Sequence, residues 1–128
     1  MCLSQIYQKD EVQCKTSKNL NKPFYAWKVV HSKTLRPPYR GGSKYFPGKQ
    51  ITRERRSISS ILKTRNDRVY ECGIHLFLTS RDVHSKLKNM FSLRMQVVKV
   101  LVKPQSVVAW GHENDRIVVI VRSCKVCD

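Results

Sequence analysis

The sequence predicts an α+β fold, a mainly antiparallel β-sheet domain with one clear α-helix at about residues 80–91. Three observations carry that expectation. Short runs rich in Val, Ile and aromatic residues recur along the chain, separated by turn residues, which is the composition of strands. Only one segment repeats its apolar residues with helical spacing. The last two strand-like runs are joined by five polar turn residues, a connection that suits an antiparallel hairpin.

Residues 1–23 are polar, lack periodicity and end at Pro23, so they read as an N-terminal arm, at most partly packed. Phe24 to Val30 (FYAWKVV) has the aromatic and β-branched content of a strand entering a core. Pro37-Pro38, Gly41-Gly42 and Pro47-Gly48 then exclude any continuous helix or strand over 32–66, although Ile58, Ile61 and Leu62 suit a helical turn or two. Arg68 to Leu78 reads as one strand, with Gly73 marking a bulge or a close backbone approach. Thr79 and Ser80 are good helix N-caps, and Asp82 in the first turn and Lys86 and Lys88 in the last match the helix dipole. Val83, Leu87, Met90 and Phe91 form one helical face.

Val98, Val100 and Val102 alternate with Lys99 and Lys103 in a half-buried strand that Pro104 ends. Val107 to Trp110 is a short strand, Gly111 to Asp115 a turn, and Arg116 to Arg122 an apolar strand. The expected organisation is an arm (1–23), one domain (24–122) holding a basic loop region (33–68), and a tail (123–128). There is no internal repeat.

The 128 residues include 25 Lys or Arg and 9 Asp or Glu, a net charge of +16, so the partner expected is a polyanion. With 41% hydrophobic residues the chain has enough apolar content for a core, and no run approaches the ~18 apolar residues of a membrane span. The charge is regional. Eleven basic residues from Lys33 to Arg68 face only Glu54 and Asp67, leaving +9 in that segment. Arg36, Arg40, Lys44, Lys49, Arg53, Arg55, Arg56, Lys63, Arg65 and Arg68, with Tyr39 and Tyr45 interleaved, are the candidate binding residues. Cations neutralise phosphates, Arg by bidentate contact, and aromatic rings accept unstacked bases. The bland reading of such a run is a solvated loop.

The N-terminus lacks the apolar core of a secretory signal, and five cysteines are an odd number for a disulfide framework, so a reducing, cytoplasmic setting is expected. The Cys124–Cys127 CxxC lacks the following helix of a redox motif. A Cys₄ zinc site from Cys2, Cys14, Cys124 and Cys127 is the other reading, against structural thiols and no cofactor. The four histidines form no recognised catalytic motif, so the chain reads as non-enzymatic. His75 suits a core histidine, His84 a residue on the helix at the border of its buried face, and His112 a solvated turn.

The run GIHLFLT (73–79), the helix opening SRDV (80–83) and VVKVLVKPQSVVA (97–109) resemble small uncharacterised proteins of phages, large DNA viruses and some bacteria. In these an aromatic strand ending Trp-Lys-Val-Val, as at 27–30, precedes the GIH-x-FLT strand and helix. The resemblance covers about Tyr25 to Val121 and implies a viral or mobile-element origin more than an activity. A remoter resemblance is to ADP-ribosyltransferase-like folds, which would assign catalytic positions to His31, His75 and Glu113. There His75 replaces the aromatic that stacks on nicotinamide.

The leading expectation is a small basic accessory protein that binds nucleic acid or a nucleoprotein complex through residues 33–68, with no membrane partner. An adaptor or inhibitor docking on an acidic protein surface, and a divergent transferase, are the alternatives.

Overall fold

Eight residues of unbroken pairing set the centre of the molecule. In the computed structural model, which describes residues 5–37, 43–52, 61–63, 69–71, 73–90 and 94–128, strand β2 (Phe24–His31) runs antiparallel to β7 (Met95–Val102) along their whole length, from Phe24 opposite Val102 to His31 opposite Met95. Side chains alternate across a strand, so this register sends Phe24, Ala26 and Val30, with Val100 and Val102, into one core. It sends Tyr25, Trp27 and Val29, with Val97 and Lys99, to the other face.

The remaining strands extend that pair on both sides. They are β1 (Gln5–Tyr7), β3 (Gln50–Thr52), β6 (Ile74–Phe77), β8 (Val107–Glu113), β9 (Arg116–Val121) and β10 (Ser123–Val126), while β4 (Ile61–Lys63) and β5 (Val69–Glu71) lie between β3 and β6 in the chain. The sheet order is β1-β8-β9-β6-β2-β7-β10-β3, with every pairing antiparallel, and β4 and β5 form a separate ladder. The expected fold class holds.

Two helices cover the sheet unequally. Helix α1 (Lys9–Thr16) places Val12 in the first core with Leu20, Tyr45 and Ile51. Helix α2 (Ser80–Lys88) buries Val83 on the opposite face against Val29, Phe77, Val118 and Ile120, with Leu87 and Met90 beside them. The Thr79 hydroxyl accepts the Asp82 amide at 3.1 Å, as the capping pattern required, and the Asp82 carboxylate accepts the Ile117 amide at 2.9 Å, which ties the helix to β9. Lys86 meets the buried Glu113 at 3.0 Å, and Arg116 donates to Ser85 at 3.3 Å. The helix ends at Lys88, earlier than expected, and Phe91 lies outside the described residues.

Several elements differ from expectation. The described part of the expected arm, residues 5–23, is packed into the domain. β1 pairs with β8, and Val12 and Leu20 are fully buried; the low apolar content of α1 hid a helix that needs only one buried side chain. The tail is also part of the sheet, because Ser123–Val126 forms β10 between β7 and β3. The run 68–78 is two strands in two different ladders rather than one. Gly73 separates them, and a Cβ there would stand 2.6 Å from the Val121 carbonyl oxygen, so only glycine lets β6 enter beside β9. The part of 57–62 that is described, Ile61 onward, is strand and not a helical turn. The five-residue turn shrinks to two residues. Asn114 (φ 46°) and Asp115 (φ 67°) take the left-handed conformations of a type I′ hairpin, and Gly111 to Glu113 stay in β8.

Two substitutions test these assignments. Gly73→Ala is expected to lower the unfolding free energy by about 1–3 kcal/mol through overpacking, seen as a lower urea midpoint. Leu20→Ala is expected to cost about 2–5 kcal/mol, whereas a residue in a loose arm would cost almost nothing.

Candidate polyanion-binding face

The two faces of the sheet do not end in the same way. α2 packs over β2, β6, β9 and the N-terminal part of β7, where Met95 and Val97 join its cluster, whereas farther along the same face Tyr25, Lys99, Lys125, Gln50 and Thr52 are exposed. The register lines up two rows of side chains on this surface. One row is Tyr25, Leu101, Lys125 and Gln50, and the next begins Trp27, Lys99. Cys127 follows Lys125 by two residues, and its amide donates to the Lys99 carbonyl at 2.9 Å.

Aromatic rings and ammonium groups are paired here. The Lys99 ammonium lies 4.0 Å from the centroid of the Tyr25 ring, its diagonal neighbour across the strands. The Lys18 ammonium lies 4.7 Å from the centroid of Trp27 and donates to the Tyr25 carbonyl at 3.3 Å. Tyr25 remains 47% exposed, high for so large a ring. Burial holds the Lys18 ammonium below its ordinary pKa of 10.5, and the like charge of Lys99 lowers it further. A third pair, Lys49 at 4.8 Å from the ring of Phe46 (44% exposed), sits in the turn whose Gly48 amide and Lys49 carbonyl bond to Val126 at the end of β10. Bringing cations together costs electrostatic energy that an anion between them recovers.

The residues expected from sequence fall unevenly around this face. Arg36 and Lys44 are exposed, and Lys49 is half-buried in the Phe46 pair. Tyr45 is 3% exposed and belongs to the core, where it cannot stack on a base; the exposed ring is its neighbour Phe46. Lys63 lies on β4. Tyr39, Arg40, Arg53, Arg55, Arg56, Arg65 and Arg68 lie outside the described residues. Lys18, Tyr25, Trp27, Lys99 and Lys125 had escaped the sequence reading because they are scattered over three segments. The alternation in β2 and β7 was the available signal, since it placed rings and lysines together on the side away from the core.

The other expected sites are not assembled. His75 lies opposite Ile120 and Glu113 opposite Arg116, four residues apart along β9, or about 13 Å. The Trp27–Phe77 pairing puts His31 about 7 Å beyond His75 in the other direction. His31, His75 and Glu113 therefore share no cleft, and Glu113 is held by Lys86. His112 is not a solvated turn residue. It sits in β8 with Nε2 3.1 Å from the Gln5 side chain and its ring 5.3 Å from Tyr7.

Cys14, Cys124 and Cys127 are all outside disulfides. Cys124 faces the core, and the odd spacing of the CxxC sends Cys127 toward the opposite face, so the two thiols do not converge. Among the described residues no three His, Cys, Asp or Glu side chains gather as a metal site; Cys2 lies outside them. Among the same residues no helix is long and apolar enough to cross a membrane.

No protein-family model matches the chain, and no curated protein or solved structure is significantly similar to it.

Burial pushes the Cys124 thiol from its ordinary 9.0 up to about 12, against a smaller opposing effect of the Lys28 ammonium. The folded state then holds its proton longer than the unfolded state does, so the contribution is complete below pH 9 and is lost as the pH rises toward about 12. Urea titrations from pH 8 to 11 should show a steeper alkaline loss of stability in the native protein than in Cys124→Ala.

Proposed function

We propose that this protein binds polyanions, nucleic acid foremost, through the open face of its sheet, and acts by binding rather than by catalysis. The observation that carries the reading is the set of lysines laid on aromatic rings, Lys99 on the exposed Tyr25 and Lys18 on the half-buried Trp27, with Lys125 on the same face. Lysines supply the sequence-independent attraction to phosphates, and apolar rings between them suit a ligand that carries bases as well as charge. The net charge of +16 adds a long-range field that speeds encounter with such a partner. A phage or viral origin, and an intracellular setting, accord with the motif resemblance and belong to the same proposal.

The arginine-rich stretch of 33–68 is part of this reading as a supplement to the face. Arg53, Arg55 and Arg56 follow directly in sequence on Thr52, the last residue of the edge strand β3.

Binding to a labelled oligonucleotide should weaken with salt by counterion release. For about four neutralised phosphates the log–log slope is near −3 on single strands, a loss of roughly 50-fold between 50 and 200 mM salt. Lys99→Glu combined with Lys125→Glu should lower affinity by about tenfold or more at low salt and flatten the slope, with the circular dichroism spectrum unchanged. Affinity that ignores both salt and these charge reversals would overturn the proposal.

A further inference from the structure

The polyanion reading leaves open which form of nucleic acid the face takes, and the spacing of its rings addresses that. Tyr25 and Trp27 are two residues apart on one strand, so their rings stand on the same face about 6.6 Å apart. Successive bases in a duplex strand are about 3.4 Å apart and have both faces occupied by neighbours. Rings at twice that spacing accept only bases that have been splayed out of a stack, which single strands permit and duplexes resist.

The lysines give the rings a second state. In the free protein each ammonium lies over a ring and covers part of an apolar surface that water would otherwise meet. An exposed ammonium–ring contact is worth less than the stacking of a base on the same ring, so a base displaces the ammonium. The displaced group remains on a long tether beside the ring, within reach of the phosphate that follows the base. Two like-charged ammonium groups that repel one another in the free protein are thereby drawn apart onto separate phosphates.

Resting on the polyanion reading, we infer that the open face binds single-stranded nucleic acid by stacking successive splayed bases on Tyr25 and Trp27, with Lys99 and Lys18 moving from the rings to the adjoining phosphates. Trp27 packs against the α2 cluster on one side, so its indole is a fixed platform, whereas Tyr25 stands more open. Recognition of this kind is tolerant of sequence, because every base has a stacking face.

The test uses the full chain and four probes: a dT 12-mer, an rU 12-mer, a 12-base-pair DNA duplex and poly-glutamate. The chain has two tryptophans, and the partly buried Trp110 packs against Phe24 on the other face of the sheet, so quenching of indole emission that Trp27→Phe removes reports Trp27. The expected result is that either single-stranded oligomer quenches the emission, that Trp27→Phe abolishes the quenching, and that Tyr25→Leu lowers single-strand affinity about five- to hundredfold with little effect on poly-glutamate. Tyr25 is an exposed strand position, and leucine keeps its apolar bulk, so this variant is expected to fold. Duplex or poly-glutamate binding as tight as that of the oligomers, with unchanged emission and no effect of Tyr25→Leu, would overturn the single-strand inference and leave polyanion binding standing. Failure of all four probes to bind would overturn both.

Discussion

The eight-residue ladder between β2 and β7 is the constraint on which the rest of the molecule depends. Because side chains alternate strictly across a strand, one choice of register decides the fate of both faces at once. With Phe24 opposite Val102, the apolar set fills the core beneath α1 and the segments around Leu20 and Tyr45. The same register obliges Tyr25, Trp27, Lys99 and Leu101 to share the opposite surface. A slip of one residue would bury Lys99 and expose Val100. The stability of the core and the composition of the candidate binding face are therefore two outcomes of one pairing.

What distinguishes the face from an ordinary solvated sheet surface is the incomplete reach of α2. A nine-residue helix spans about 13 Å, enough to cover the strands it is tied to through Asp82, Ser85 and Lys86 but not all eight. Its anchors hold it toward the β8–β9 hairpin, where Glu113 and Arg116 are nearly buried. The part of that face running from Tyr25 past Lys99 to β10 and β3 is left toward solvent, with lysines on it and the half-buried Trp27 at its border. Trp27, packed against the α2 cluster, is where the scaffold meets the side chains proposed to touch a ligand.

Much of the scaffold was legible from sequence because its signals were local. The Thr79 cap with Asp82, the helical spacing of Val83 and Leu87, the alternation around Val98 to Val102 and the Gly73 close approach each sit within a few residues. The N-terminal strand and helix were not legible, since Gln5–Tyr7 is too short to show alternation and α1 buries only Val12. Tyr45 read as a surface aromatic from its basic neighbours, yet it is Phe46 that is exposed. A loop carries no periodicity from which to tell which of two adjacent rings turns inward. The candidate face was missed for a related reason: charge density draws the eye to continuous runs, while Lys18, Tyr25, Trp27, Lys99 and Lys125 come together only once strands pair.

The position of β10 bears on how the molecule is built over time. This strand lies between β7 and β3, so β3, about seventy residues earlier in the chain, joins the large sheet only through it. β1 likewise finds its partner, β8, across more than a hundred residues. Contacts of such long sequence separation carry a high loop-closure entropy and make for slow folding. A chain made in order would hold β1 and β3 unpaired until the β8–β10 region had been synthesised. For a molecule this cationic, the nascent segment is then an adhesive one, and the final strand closes the sheet edge to which it is attached.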